Sequence, residues 1–271
     1  MAKILFTIAA IYAGLLILLY LTQTWLLFPT WLMGKSALAL PESAERLEIE
    51  ISGGDRLAGV LLPASESAEG TPPLLLAFGG NAWNAGDLAL YLREHYPQAD
   101  IVAFHYRGYW PSTGRPGAAA LLADGLLVYD HIKQTRDPDR VIAVGLSLGA
   151  GVAAHLAAHR PLQGVVLVTP FDSLVKLAQQ HYFWMPVRSL LRHRMPVADW
   201  MRKTAVPTAI IAAENDTIVS PARTEGLRQA IPHLVFDRTI RGAGHNDIYA
   251  RPDFTAAMKE ALLRIGRRSR D

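Results

Sequence analysis

A serine flanked by small residues is the first feature of this sequence that could do chemistry. The pentapeptide Gly-Leu-Ser-Leu-Gly at residues 145–149 lies between an apolar run that ends at Val144 and a segment of helical periodicity that starts at Leu148. At a sharp turn from strand to helix, a serine hydroxyl is exposed and the helix N-terminus favours a negatively charged oxygen. The pattern and its context predict that Ser147 is a nucleophile.

An acid and a histidine that could activate this serine follow it along the chain. A serine hydroxyl needs a base at neutral pH, and that base needs a carboxylate to orient it. Asp216 comes directly after the predicted strand Thr208–Ala213, and His245 comes after the predicted strand Leu234–Ile240. Because the carboxyl ends of parallel strands share one edge of a sheet, we expect Ser147, Asp216 and His245 to form a catalytic triad.

Two other residues compete for the roles of acid and base. Asp172 ends the strand after the nucleophile's helix, a position from which some hydrolases supply the acid. We prefer Asp216 because the usual chain order expects the acid there. His105 also ends a predicted strand, but it precedes the serine and fits that order less well.

Two backbone N–H groups are expected to stabilise the oxyanion that forms during acyl transfer. One belongs to Leu148, the residue after the nucleophile, and the other to Asn81 in the loop after the predicted strand Leu74–Phe78. Gly79 and Gly80 allow that loop to curl toward the serine. Each such donor is worth about 3–4 kcal/mol in the transition state. No metal or cofactor is predicted.

Strand and helix patterns alternate around these residues and must position them. Predicted strands occupy residues 74–78, 101–105, 141–144, 165–169, 208–213 and 234–240. Predicted helices occupy residues 87–95, 118–133, 148–159, 222–230 and 254–265. Two earlier strands, 47–51 and 56–62, flank a Gly-Gly-Asp turn and predict a leading antiparallel hairpin. The alternation predicts an α/β fold with a mainly parallel sheet and helices on both faces.

An insertion rich in aromatic residues lies between Asp172 and Pro207 and predicts a short cap over the site, spanning residues 172–206. Its aromatic side chains either form the cap's own core or, with Tyr109 and Trp110, line an apolar acyl pocket.

A second function can be considered for the glycine-rich turn. Residues 145–151 also resemble a dinucleotide-binding loop, with Asp172 as a ribose-binding acid and a Tyr-x-x-x-Lys pair at Tyr129 and Lys133. An NAD(P)-dependent oxidoreductase is the less favoured hypothesis, because that pair precedes the loop and two strand–helix units come before it. The third hypothesis is a non-catalytic, membrane-bound interaction protein of the same fold.

The N-terminal residues predict a membrane anchor. The chain has 271 residues and a mean hydropathy of +0.16, and the apolar excess is concentrated in residues 4–22, which carry no charge. Such a helix is about 29 Å long, close to the hydrocarbon thickness of a bilayer. Trp25 and Trp31 follow at the expected position of an interfacial aromatic belt. We therefore expect residues 1–34 to form an anchor and interfacial segment, and residues 35–271 the catalytic domain.

A cleaved signal peptide is the alternative to a retained anchor. The apolar run is longer than the usual signal core, and an Ala-x-Ala match begins only at Ala37, so a retained helix is favoured. Lys3 precedes the helix and few basic residues follow it closely, which predicts a cytoplasmic N-terminus and an extracytoplasmic catalytic domain, periplasmic in a bacterium. The absence of cysteine favours neither compartment.

The positive charge near the C-terminus has a simple interpretation. Arginines at positions 264, 267, 268 and 270 fit the C-terminal end of a last helix, where cations are favoured by the helix dipole. We therefore expect no nucleic-acid partner, and the sequence does not determine an oligomeric state.

Several motifs together resemble one branch of the α/β-hydrolase superfamily. They are Gly-Gly-Asn-Ala-Trp-Asn at 79–84, Tyr-Arg-Gly-Tyr at 106–109, Pro-Phe-Asp-Ser at 170–173 and Gly-Ala-Gly-His-Asn-Asp at 242–247. From about Gln23 onward the chain is similar to membrane-anchored, depalmitoylase-like and lysophospholipase-like members. The resemblance implies a serine hydrolase acting on an ester, thioester or related acyl bond of a small-molecule or lipid-like substrate. In that branch the first motif typically has His at the position of Gly79 and a small residue at the position of Trp83.

Overall fold

Eight strands form one sheet in the part of the chain that the structure describes, a computed structural model covering residues 1–34, 38–65 and 72–268. Ala37, where the signal-cleavage match begins, and Arg270 lie outside those residues. The strands are β1 (Glu45–Glu50), β2 (Arg56–Leu62), β3 (Leu74–Phe78), β4 (Asp100–Phe104), β5 (Val141–Leu146), β6 (Gly164–Val168), β7 (Thr208–Ala213) and β8 (Leu234–Ile240). Their order across the sheet is β1-β2-β4-β3-β5-β6-β7-β8.

The described residues also form α-helices, some of which cover the two faces of this sheet. They are α1 (Ala2–Leu27), α2 (Ala85–His95), α3 (Ala118–Arg136), α4 (Leu148–His159), α5 (Leu174–His181), α6 (Val187–Leu190), α7 (Val197–Met201), α8 (Pro221–Arg228) and α9 (Pro252–Arg268). Helices α2 and α9 pack on one face, and α3 and α4 pack on the other. All residues of β3, β5, β6 and β7 are buried, as expected for strands covered on both sides.

The pairing of the strands agrees with the sequence prediction. Strand β1 pairs with β2 and β2 with β4 in antiparallel fashion, and all the pairs from β4 to β8 are parallel. The hairpin turns at Gly53 and Gly54, which both have positive φ angles that favour glycine. The predicted α/β fold, with its leading hairpin and mainly parallel sheet, is confirmed.

The order of the strands creates a crevice at one edge of the sheet. The chain passes from β3 outward to β4 and then returns to the other side of β3 as β5. At such a switch point the loops that leave neighbouring strands diverge, and ligands bind between them. The loop after β3 holds Asn81 and the turn after β5 holds Ser147, so the fold places these two segments side by side.

Helix α1 extends further than the apolar run predicts, and its last turns are part of the globular structure. It ends at Leu27, and it is long and apolar enough to cross a membrane by length and composition. The side chain of Gln23 is 7% exposed and that of Phe28 only 1%, because both pack against the segment that links β6 to β7. Apolar periodicity alone does not reveal this contact, since the partner residues lie more than 160 positions away.

Candidate active site

The turn at Ser147 has the strained geometry that exposes a nucleophile. Ser147 has φ +52° and ψ −113°, a conformation that costs a non-glycine residue energy and is found mainly at functional sites. A Cβ atom at Gly149 would collide with the carbonyl oxygen of Phe78, and one at Gly145 would collide with the carbonyl oxygen of Gly149. Only glycine fits at either position, so these two residues allow β5, β3 and α4 to approach each other closely.

His245 lies within hydrogen-bonding distance of both partners that the sequence predicts. Its Nε2 atom is 2.9 Å from the Ser147 hydroxyl oxygen, and its Nδ1 atom is 2.7 Å from an oxygen of Asp216. A neutral imidazole that donates from Nδ1 to the carboxylate leaves Nε2 free to accept the serine proton. The imidazole and the carboxylate are both buried, so their geometry is held by the fold.

The carboxylate of Asp216 is fixed by the backbone that follows it. One oxygen accepts the N–H groups of Ile218 at 2.9 Å and Val219 at 2.7 Å. The other oxygen is thereby directed at His245. The sequence did not single out Ile218 or Val219, because a backbone donor leaves no signal in residue type.

The two N–H groups predicted for the oxyanion lie in the expected segments. Leu148 is the first residue of α4, and Gly80, next to Asn81, is close enough to Ser147 that a Cβ atom on it would lie 3.6 Å from the Ser147 Cβ. Within the described ranges, the N–H groups of Leu148 and Asn81 have no hydrogen-bond acceptor from the chain itself. Both donors are therefore available to a substrate oxygen.

The side chain of Asn81 ties the oxyanion loop to two other parts of the molecule. Its amide nitrogen donates to the carbonyl oxygen of Leu27 at 2.8 Å, and its amide oxygen accepts from the Tyr109 hydroxyl at 2.6 Å. The same loop is also held at Gly79, whose carbonyl oxygen accepts from the Tyr106 hydroxyl at 2.7 Å. The last turn of α1 is thus bonded directly to the loop that carries one of the predicted oxyanion donors.

Two unusual residues of this loop are in contact with each other. A Cβ atom at Gly79 would lie 3.2 Å from the Cβ of Trp83, so glycine leaves room for the indole. Trp83 packs edge-on against Tyr249, with ring centroids 4.9 Å apart, and also contacts Tyr91. Burial raises the pKa of Tyr249 to about 12, so its phenol is neutral. The glycine at 79 and the tryptophan at 83, which stand where the resembled branch typically has a histidine and a small residue, therefore fit each other.

The two rival residues lie in other surroundings. Asp172 is 2% exposed and is paired with Lys176 at 2.9 Å and with Arg223 at 3.3 Å, which holds the start of the cap against α8. The ring of His105 lines a cavity of about 510 Å³ bordered by β1 and β2, and burial lowers its pKa to about 4.

The residues that suggested dinucleotide binding serve the packing of the fold. A Cβ atom at Gly151 would lie 2.8 Å from the sulfur of Met195, so this part of the glycine loop is covered by the cap. The Tyr129 hydroxyl donates to the carbonyl oxygen of Pro161, and Lys133 pairs with Asp137. This geometry does not favour the oxidoreductase hypothesis.

Comparisons with known proteins agree with the class of enzyme that the sequence predicts. Residues 130–251 match the family described as serine hydrolase. An uncharacterised protein of Mycobacterium tuberculosis is 31% identical over 244 residues, which cover 89% of this chain and 86% of that protein. Lysophosphatidylserine lipase ABHD12 of Gallus gallus is 30% identical over 226 residues, covering 70% of this chain and 58% of the lipase.

Solved structures share the fold. An esterase of Pyrococcus furiosus superposes with a TM-score of 0.66 at 15% identity, covering 85% of this chain and 96% of the esterase. A thermophilic esterase of Thermogutta terrifontis gives a TM-score of 0.60 at 18% identity, covering 82% of this chain and 99% of the esterase. The sheet order and the turn at Ser147 are those of an α/β-hydrolase.

The chain belongs to the serine hydrolases of the α/β-hydrolase superfamily. It is an enzyme that cleaves ester bonds. The fold class and enzyme class predicted from the sequence are confirmed, and neither the oxidoreductase nor the non-catalytic hypothesis is favoured.

Proposed function

We propose that this enzyme hydrolyses the acyl ester of a lipid-like substrate at a membrane surface, with Ser147, His245 and Asp216 as its catalytic triad. The observation that supports this most strongly is the continuous chain of hydrogen bonds from Asp216 through His245 to Ser147. In this arrangement the hydroxyl, the base and the orienting acid are already within reach of each other before substrate binds.

The reaction begins when the Ser147 oxygen attacks the acyl carbon while His245 accepts the hydroxyl proton at Nε2. The substrate's carbonyl oxygen becomes an oxyanion, which accepts hydrogen bonds from the N–H groups of Leu148 and Asn81. Collapse of this intermediate expels the alcohol, which takes the proton from His245 and leaves an acyl-serine. A water molecule, deprotonated by His245, then releases the acid and restores the serine hydroxyl.

Two features support a lipid-like substrate. One group of relatives consists of proteins named lysophosphatidylserine lipases, although the chain spans only about half of their length, from 46% to 58%. Helix α1 is bonded through Leu27 to the oxyanion loop, so a membrane that held α1 would lie close to the site. The proposal covers the class of acyl ester and leaves the alcohol undefined.

We also propose that residues 1–34 form a retained membrane anchor and interfacial segment, residues 35–271 the hydrolase domain, and residues 172–206 its cap. Most large side chains of α1 are exposed, including Phe6 and Ile11, as expected of a helix surrounded by lipid. Lys3, just before the apolar run of residues 4–22, supports a cytoplasmic N-terminus with the hydrolase on the opposite side. The chain lacks cysteine, so a single cysteine at exposed Gln134 can report this orientation by its reaction with an impermeant maleimide on intact cells.

Labelling with a fluorophosphonate probe tests the triad. The wild-type protein should become labelled, and Ser147→Ala should lose both the label and esterase activity, by about 10³-fold or more. Ser189→Ala, at an exposed serine of the cap, is the matched control and should label normally. Undiminished labelling of Ser147→Ala would show that another residue is the nucleophile.

A panel of p-nitrophenyl esters of increasing chain length tests the substrate class. We expect kcat/KM to rise from acetyl to long acyl chains, because each buried methylene contributes about 0.8 kcal/mol. Full-length protein in vesicles should exceed a form without residues 1–11 on long-chain esters and should match it on acetyl esters, because the shortened form keeps the bonds of Tyr12, Gln23 and Leu27 but its helix is too short to span a bilayer. Equal activity of the two forms on long-chain esters would contradict action at a membrane surface.

A further inference from the structure

The cap lies along one face of α1 over several turns. Gln23 anchors one end of this contact, since its side-chain amide donates to the carbonyl oxygen of Leu190 and its oxygen accepts the N–H of Arg192. At the other end, the Tyr12 hydroxyl donates to the carbonyl oxygen of Trp184 at 3.0 Å. The rings of Tyr12 and Trp184 also meet edge-on, with centroids 6.4 Å apart.

The burial pattern of α1 follows this contact. Leu16 and Leu19 are partly buried, while most of their helical neighbours are exposed. Together with Tyr12 and Gln23 they are spaced four, three and four residues apart, so they form a single stripe on the helix. The cap therefore runs beside α1 from Gln23 up to the level of Tyr12.

The segment of the cap at that upper end is apolar and exposed. We call residues 182–186 the cap tip; its sequence is Tyr-Phe-Trp-Met-Pro, without a charge. The side chain of Phe183 is 83% exposed, and those of Tyr182 and Trp184 are 48% and 41% exposed. Burying such aromatic rings in water-free surroundings contributes favourably, whereas leaving them in water does not.

Charged residues occur at a different level of the same contact. The guanidinium of Arg192 lies 5.0 Å from the ring centroid of Tyr20. Arg188, two residues after the cap tip, and Arg194 are also exposed, and the Arg194 guanidinium donates to the carbonyl oxygen of Arg188 at 2.8 Å. Arginine and tyrosine together are typical of the boundary between lipid headgroups and hydrocarbon.

These positions give the depth of the cap tip along α1. Eight residues separate Tyr20 from Tyr12, so the cap tip lies about 12 Å beyond the arginine level along the helix axis. One leaflet of a bilayer has about 15 Å of hydrocarbon. A bilayer whose headgroups are level with Tyr20 and Arg192 would therefore surround the cap tip with acyl chains.

We propose that the cap tip inserts into the hydrocarbon of the leaflet on the catalytic side and forms, with α1, a two-part membrane-embedded surface that binds lipid acyl chains. The inference rests on the proposed anchoring of α1 in a bilayer. It assigns the exposed aromatic residues of the cap to contact with lipid, and it places the hydrolase domain partly within the leaflet.

Depth-dependent fluorescence quenching tests this proposal on the full-length chain. Because the protein has no cysteine, an environment-sensitive dye can be attached to single variants at Phe183, Ile11 and Gln134. Phe183 and Ile11 are exposed in the structure, so their replacement removes little packing. Gln134 lies near the end of α3, at the edge of the sheet opposite Ser147, and reports on water. The proteins are reconstituted in vesicles of phosphatidylcholine and phosphatidylglycerol that carry a nitroxide either on the headgroup or in mid-chain.

The three positions separate the possible outcomes. We expect dyes at 183 and 11 to emit at shorter wavelength and to be quenched more by the mid-chain nitroxide than by the headgroup nitroxide, while the dye at 134 is quenched by neither. A dye at 183 that stays in water or responds only to headgroup nitroxides, with position 11 embedded, would overturn the insertion of the cap tip. A dye at position 11 that reports water would instead overturn the anchoring itself.

Discussion

The catalytic edge of the sheet and the contact between α1 and the cap are built in different ways. At the edge, geometry is imposed by the backbone: Ser147 is held at positive φ, and Asp216 is fixed by two N–H groups just beyond it in sequence. Between α1 and the cap, geometry depends on side chains from distant segments, such as Gln23 with Arg192. The proposed catalytic geometry is thus encoded locally, whereas the position of α1 against the cap is encoded in long-range contacts.

The largest effect is expected from changing the acid at the catalytic edge. Asp216→Asn removes the charge that orients His245 and stabilises its protonated form, so kcat should fall by about 10⁴-fold with little loss of stability. Asp172→Asn is the matched control, because it alters a buried acid of the cap. That variant should keep kcat near the wild-type value and lower the free energy of unfolding by about 2 kcal/mol. Steady-state kinetics and chemical denaturation measure the two effects, and the opposite pattern would identify Asp172 as the catalytic acid.

Close packing at the turn that carries Ser147 gives the second prediction. Gly149→Ala would place a methyl group against the carbonyl oxygen of Phe78, and backbone on both sides cannot easily move. We expect a loss of stability of about 3 kcal/mol or more, together with most of the activity. Gly14→Ala, in the exposed part of α1 with nothing within 4 Å of the new methyl group, should lower neither. Thermal unfolding and esterase assays compare the pair; a stable, active Gly149→Ala enzyme would contradict the packing argument.

These differences explain how far the sequence could predict the molecule. The sheet, the helices and the segments that carry Ser147, Asp216 and His245 follow from periodicity, turn residues and chain order, which are local signals. The bond from Asn81 to Leu27 and the contact of Tyr12 with Trp184 could not be predicted, because they depend on how α1 packs against the folded domain. The complementarity of Gly79 and Trp83 was also hidden, since it appears only when the loop is closed.

The third prediction concerns the residue that joins the two regions. Asn81→Ala removes the hydrogen bonds to Leu27 and Tyr109 while keeping the backbone N–H that we propose as an oxyanion donor. A less firmly held donor should lower kcat about tenfold, the equivalent of about 1.4 kcal/mol, with little change in KM. Tyr109→Phe removes only one of the two bonds and should have a smaller effect. Unchanged kcat in Asn81→Ala would mean that the loop holds its shape without this side chain.

The smallest effect is expected from pH at the contact between α1 and the cap. The ring of His193 bonds to the Thr24 hydroxyl at 2.8 Å and accepts the N–H of Ala118 at 3.3 Å, an acceptor role that requires the neutral ring. Burial, with the nearby charge of Arg192, lowers the pKa of His193 below its usual 6.5. The imidazole of His193 therefore binds a proton more readily in the unfolded chain than in the folded one. The stabilising contribution of neutral His193 is complete above pH 6.5, and it declines as the pH falls through the pKa of His193 in the folded state.

Hydrogen exchange can measure this decline. After correction for intrinsic rates, the N–H of Arg192, which donates to Gln23, should exchange a few times faster at pH 5 than at pH 7. His193→Gln can donate and accept the same bonds without titrating, so its exchange should not depend on pH. A wild-type protein with the same protection at both pH values would show that His193 does not control this contact.

The bonds that fasten the end of α1 to the cap and to the oxyanion loop have a kinetic consequence. A flexible tether would let the hydrolase tumble above the bilayer and sample its surroundings in three dimensions. If α1 is anchored as proposed, a helix that is bonded at Gln23, Thr24 and Leu27 would hold Ser147 at one height above the bilayer and at one tilt. Turnover would then follow the mole fraction of substrate in the surface, and diluting the substrate with inert lipid would slow the enzyme even when the total amount in the sample stays the same.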